Sequence, residues 1–124
     1  MGHVRAKIII GDPQKSKLEE VDFLADSGAF FPIISPSLAE KLGIKPVVET
    51  ELILADKRKA KATLSNAYFK LLDREGVFQV AIMDVVEPLL GVTVLEGLGI
   101  KIDPVTGKLE YSRPYGLALL AIKR

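Results

Sequence analysis

No apolar run in this 124-residue chain travels far before a turn signal stops it, and that punctuation constrains the fold more than any other feature. Val4 to Ile10 is a compact β-branched run broken by Gly11-Asp12-Pro13, and Leu18 to Ala25 reads as the returning strand. Val47 to Ala55 and Ala60 to Leu72 read as the arms of a hairpin whose exposed tip is Asp56-Lys57-Arg58-Lys59. Asp73 to Gly76 predicts another turn, followed by a strand from Val77 to Val86. Ile100 to Ile102, Asp103 to Gly107 and Lys108 to Tyr111 read as strand, turn, strand, with Pro104 and Gly107 suited to the turn. Two brief helices interrupt this pattern. Ser35 is a cap, Pro36 a first helical residue and Gly43 a stop around Ser37 to Leu42; Val92 to Leu98 is stopped by Gly99. Many short strands with two short helices predict a mostly β, closed, barrel-like fold. An apolar run, a glycine turn and a short helix occur around Gly28 and again around Gly91, a faint internal echo.

The length suits one domain, residues 1–124, with a core of its own. Seventeen basic against sixteen acidic residues give a net charge of +1, so no global field points to nucleic acid or an anionic membrane. The chain has no cysteine, which excludes thiol catalysis, disulfides and thiolate metal sites. Its one histidine, His3, lies near the N-terminus, so imidazole metal clusters and a Ser-His-Asp arrangement are excluded as well. No signal-peptide pattern and no apolar run of membrane-spanning length is present, and a soluble cytoplasmic protein is the expectation.

The chemistry concentrates at one place. Val21-Asp22-Phe23-Leu24-Ala25 leads directly into Asp26-Ser27-Gly28-Ala29, so a carboxylate sits where apolar neighbours suggest burial, a costly position. The residues alone leave two readings open: a catalytic acid, or a turn-forming side chain bonded to nearby backbone. Asp12, Asp56, Asp73 and Asp103 read as structural turn residues, and Asp22 and Asp84 as solvent-facing strand residues.

Asp26-Ser27-Gly28-Ala29 is followed in order by Ile34-Ser35-Pro36-Ser37-Leu38-Ala39-Glu40-Lys41-Leu42-Gly43-Ile44, Leu54-Ala55-Asp56, Glu87-Pro88-Leu89-Leu90-Gly91 and Leu95 to Leu109. With these pieces in this order the chain resembles the retropepsin-like aspartic proteases, single-domain enzymes of retroviral type, and prokaryotic members in particular. The resemblance implies that Asp26 is the catalytic carboxylate, that Ser27, Gly28 and Ala29 complete the active-site loop, and that Leu89, Leu90 and Gly91 thread beside that loop and bury it. It makes Ala55, Asp56, Lys57, Arg58 and Lys59 the flap over the cleft. One such Asp per chain implies a homodimer acting on an extended peptide or unfolded protein, with no metal or organic cofactor. The alternative is a retropepsin-fold module used for dimerisation or peptide binding with little hydrolysis.

Three departures stand out. Ser27 replaces the commoner threonine, Phe30-Phe31-Pro32 replaces smaller and more polar residues, and the flap tip has no glycine. Lys57, Arg58, Lys59 and Lys61 read either as a solvated tip that discourages edge pairing or as an attractor of acidic peptides. Residues 111–124 extend beyond the familiar pattern, as a tail packed on its own domain or as a dimer-interface segment.

Overall fold

The computed structural model describes residues 4–25, 28–54 and 56–116. His3, Asp26, Ser27, Ala55 and the apolar stretch Leu117 to Ile122 lie outside the described residues.

Nine strands and two helices follow one another as β1 (Val4–Gly11), β2 (Leu18–Ala25), β3 (Ile33–Ile34), α1 (Pro36–Leu42), β4 (Val48–Ile53), β5 (Lys59–Leu71), β6 (Arg74–Ile82), β7 (Leu89–Leu90), α2 (Val92–Leu98), β8 (Ile100–Ile102) and β9 (Leu109–Tyr111) among the described residues. The main sheet runs β1-β2-β7-β3-β6-β5-β4, and β1 also pairs with β5 through Ile9↔Lys70, Ile10↔Phe69 and Gly11↔Tyr68. That second pairing closes six strands into a ring and leaves β4 outside it as half of a projecting hairpin, so the expectation of a mostly β, closed architecture holds. β8 and β9 form a separate two-stranded sheet.

Side-chain alternation explains which face each strand turns inward. In β1, Ala6, Ile8 and Ile10 are buried at every second position. Phe23 from β2, Phe69 and Leu71 from β5, Val80 from β6 and Leu90 from β7 meet them, joined by Leu42 of α1 and Val94 and Leu98 of α2. The Phe69 ring meets Phe23 and Phe78 edge to face, each at 6.2 Å between centroids.

The internal echo of the sequence is a real feature of the topology. β2 leads through a loop to β3 and α1; β6 leads through a loop to β7 and α2. Each two-residue strand pairs in parallel with the long strand of the other half, β7 with β2 and β3 with β6, and the two short strands pair antiparallel at Ile33↔Leu89.

Most boundaries fall where the punctuation puts them. Ser35 caps α1, its hydroxyl accepting from the Leu38 amide at 3.2 Å, with Pro36 as the first helical residue. Two boundaries differ most. The turn expected over Asp73 to Gly76 is instead a two-residue turn at Leu72-Asp73, with Leu71↔Arg74 already paired and Leu72 at φ +56°. β6 stops at Ile82 rather than Val86, because its β3 neighbour ends there, Ile82 pairing with Ile34, the last residue of β3, while β5 before Thr63 pairs with β4 alone. Asp84 is therefore exposed but outside any strand, whereas Asp22 is exposed within β2 as expected.

Candidate active site

β2 carries the chain to Ala25, immediately before Asp26. At that end it is fixed by Val4↔Ala25 on the β1 side, and by Leu24↔Leu89 and Ala25↔Leu90 on the β7 side. The Leu24 amide also donates to the Pro88 carbonyl at 2.9 Å. From residue 28 the loop runs with Gly28 exposed and Ala29 half-buried, and returns through buried Pro32, whose carbonyl accepts from the Ala81 amide at 2.9 Å.

The start of α2 is fastened to this loop. The Val92 amide donates to the Ala29 carbonyl at 2.9 Å and the Thr93 amide to the Phe30 carbonyl at 3.1 Å. Gly91, the residue before the helix, passes so close that a Cβ there would lie 2.3 Å from the Phe31 carbonyl carbon. Only glycine admits that approach. Gly91 thus passes beside the Phe30 and Phe31 backbone, while Leu89 and Leu90 pair with Leu24, Ala25 and Ile33. Phe30 is 65% exposed, its ring edge-on to Phe31 at 5.0 Å, so the departure at 30–32 leaves an aromatic surface next to the loop.

The hairpin of β4 and β5 projects from the ring. Its tip spans 54–58, closed by the Leu54 amide on the Arg58 carbonyl and the Lys57 amide on the Leu54 carbonyl, each at 2.8 Å. Lys59, expected in the tip, is the first residue of β5 and pairs with Ile53. Lys57 takes the left-handed conformation at φ +71°, the position a glycine would usually fill. The Asp56 carboxylate accepts from the Arg58 amide at 3.1 Å and from Arg58 Nε at 2.5 Å, so Asp56 orders the tip. Lys57, Arg58, Lys59 and Lys61 are all exposed.

The remaining turn carboxylates are structural, as expected. Asp12 accepts from the Ser16 hydroxyl at 2.7 Å and the Lys17 amide at 2.8 Å, and these bonds hold its pKa below the usual carboxylate range. The Val105 and Thr106 amides do the same for Asp103. Tyr111 donates its phenol to Asp73, lowering that acid too. On the outer face the Tyr68 phenol is pushed up to about 12 by burial and by its hydrogen bond to Glu75.

Two features near the site carry no sequence signal. Arg5, paired across the strands with Leu24, forms an exposed ion pair with Glu87 that raises the arginine pKa. Arg74 and Arg113 converge on the far end of α2. A cavity of about 690 Å³ under the base of the projecting hairpin, lined by Pro36, Pro46, Glu49, Glu51, Lys61 and Ile82 among others, includes none of residues 28–32. Among the described residues no group of three or more His, Cys, Asp or Glu could hold a metal, and no helix is long and apolar enough to cross a membrane.

Comparison with known proteins agrees with this geometry. The EIAV protease complexed with the inhibitor HBY-793 superposes with a TM-score of 0.67 at 16% identity, over 82% of this chain and 93% of that one. A retropepsin-like aspartic protease from Rickettsia conorii superposes with a TM-score of 0.53 at 21% identity, over 82% and 88% of the two chains. At such identities the likeness is one of fold. No curated protein sequence matches the chain significantly. The family model described as aspartyl protease matches residues 6–105, most of the ring and both helices. The chain therefore belongs to the aspartyl protease family and is an aspartic-type peptidase.

Proposed function

We propose that the chain is an endopeptidase that works as a homodimer, with Asp26 of each copy contributing to one site on the two-fold axis. The observation that supports this best is the fastening of the loop around Asp26: β1 and β7 grip the strand before it, and the first two amides of α2 grip the backbone after it. Fixed geometry is what such chemistry requires, and the backbone on either side of Asp26, at 24–25 and 29–30, is fixed.

Two carboxyl groups at close quarters cannot both ionise, so the pair shares one proton, as is general for aspartic proteases. The ionised member takes a proton from a bound water as that oxygen attacks the scissile carbonyl carbon; the protonated member gives its proton to the carbonyl oxygen. The resulting gem-diol collapses as a proton passes to the amide nitrogen and the carbon–nitrogen bond breaks. No acyl-enzyme forms. The Ser27 hydroxyl bridges to the equivalent loop of the other copy, and the Gly28 carbonyl accepts from the substrate backbone. The tip at 54–58 closes over an extended peptide held as an added strand. Residues 1–124 form one domain in this reading, and shared protonation favours an acid pH optimum.

Asp26→Asn decides the matter. The native protein should sediment as a dimer at micromolar concentration and cleave unfolded protein at acid pH, and the variant should lose that cleavage by about a thousandfold or more. Equal turnover in the two proteins, or a stable native monomer, ends the proposal.

A further inference from the structure

Helix α2 is a poor helix on its own terms. Its seven residues include three β-branched side chains and Gly97, and Gly91 supplies no side-chain cap. The first turn has no acid and the last turn no base, and seven residues are too few to persist alone. Yet its first two amides hold the backbone that follows Asp26.

The far end of the helix shows what compensates. Arg113 donates from Nη1 to the Glu96 carbonyl at 2.7 Å and from Nη2 to the Gly97 carbonyl at 2.8 Å. Arg74 Nη1 donates to the Leu98 and Gly99 carbonyls, each at 3.0 Å, and its Nη2 to the Arg113 carbonyl at 2.9 Å. Four consecutive carbonyls at the negative end of the helix are thus taken by two guanidinium groups. The surroundings are cut to fit. Gly99 sits at φ +68°, and a Cβ there would lie 2.7 Å from the Arg113 side chain. Arg113 also donates to the Gly116 carbonyl and stacks on Tyr115 at 5.3 Å, while Arg74 stacks on Tyr111 at 4.0 Å.

We propose that Arg113 is a positioning residue for the active-site loop, acting through α2; this rests on the reading of the loop at Asp26 as the catalytic one. The helix is only about 10 Å long, so slack at its last carbonyls reaches its first amides directly. Arg113 lies beyond the family match, which ends at residue 105. The chain's own extension therefore completes a helix that the matched region leaves weak.

The test compares native protein with Arg113→Ala and Arg113→Lys by kinetics, and the same changes in an Asp26→Asn background by amide hydrogen exchange. Arg113→Ala should speed exchange at the Val92 and Thr93 amides by about tenfold or more, with β1 and β5 core amides unchanged. It should lower kcat while leaving KM near its native value. Arg113→Lys, a point charge that cannot span two carbonyls, should fall between. Unchanged exchange at Val92 and Thr93, a uniform rise throughout the chain, or an unchanged kcat overturns the proposal. If Arg113→Ala does not fold, Arg113→Lys decides by the same two readouts. Native protein that cleaves nothing overturns the catalytic reading alone, and the exchange pattern still decides whether Arg113 holds the loop.

Discussion

Gly91 and Thr93 sit two residues apart and test the loop from opposite directions. A methyl at Gly91 would collide with Phe31 backbone, which cannot swing aside as a side chain end could. Gly91→Ala should cost about 2–3 kcal/mol, read from the urea midpoint, and should lower activity with it. A cost near zero would mean that the loop yields at Phe31 and is not firmly held. Thr93 behaves oppositely. Its hydroxyl is buried without a hydrogen-bond partner among the described residues, although its amide is bonded. Thr93→Val keeps the shape and removes the unpaired group, so stability should rise by about 1 kcal/mol. A loss of similar size would reveal a bond that the folded chain makes to this hydroxyl. Gly91 was legible because it belongs to an ordered motif. Thr93 was not, since an unpaired hydroxyl is a property of packing and has no pattern along the chain.

The two helices show why some elements can be read from sequence and others cannot. α1 carries its own instructions: Ser35, Pro36 and Gly43 mark its ends by local chemistry. Ser35→Ala should therefore destabilise by about 1 kcal/mol without touching the loop, measurable as a shifted midpoint with unchanged KM. α2 has matching bounds in sequence, but what retains it is distant: Arg74 is 24 residues before Leu98 and Arg113 is 17 after Glu96. The same contrast governs the strands. β1, β2 and β5 are long enough for alternation to show. β3 leaves no signal along the chain because two residues have no period, and it exists only through pairing with β6 and β7. The turn falls at Leu72-Asp73, ahead of the Asp73 to Gly76 signal, because Leu72 adopts a conformation its side chain disfavours. Lys57 does the same at the hairpin tip, so the missing glycine there did not mean a missing tight turn.

At the scale of the molecule, the fold depends on its turns, and the turns depend on ionised acids. Asp12 closes the β1–β2 turn, Asp103 the β8–β9 turn, and Asp73 ties the β5–β6 turn to Tyr111 of β9. Glu75 is held by the Tyr68 phenol and by Lys15. All four have folded-state pKa values below their ordinary ones: Asp12 chiefly through the Ser16 hydroxyl, Asp103 through the Val105 amide, Asp73 through Tyr111 and Glu75 through Tyr68. A carboxyl group whose pKa is lowered by folding stabilises the fold in full above its unfolded value and loses that contribution as pH falls through the folded one. The unfolded values lie near 3.9 for Asp and 4.3 for Glu, so stability should be level from pH 7 to about 5 and fall below about 4. That leaves the ring intact in the mildly acid range where a proton-sharing Asp26 pair would work. Replacing Asp12 and Asp103 together by Asn removes two of the titrating groups while keeping acceptors for the same amides. Urea midpoints followed from pH 7 to 2 should then decline less steeply on the acid side than in the native protein. An identical acid limb in both would place the source of acid sensitivity elsewhere, and the turns would have to be held by their backbone bonds alone.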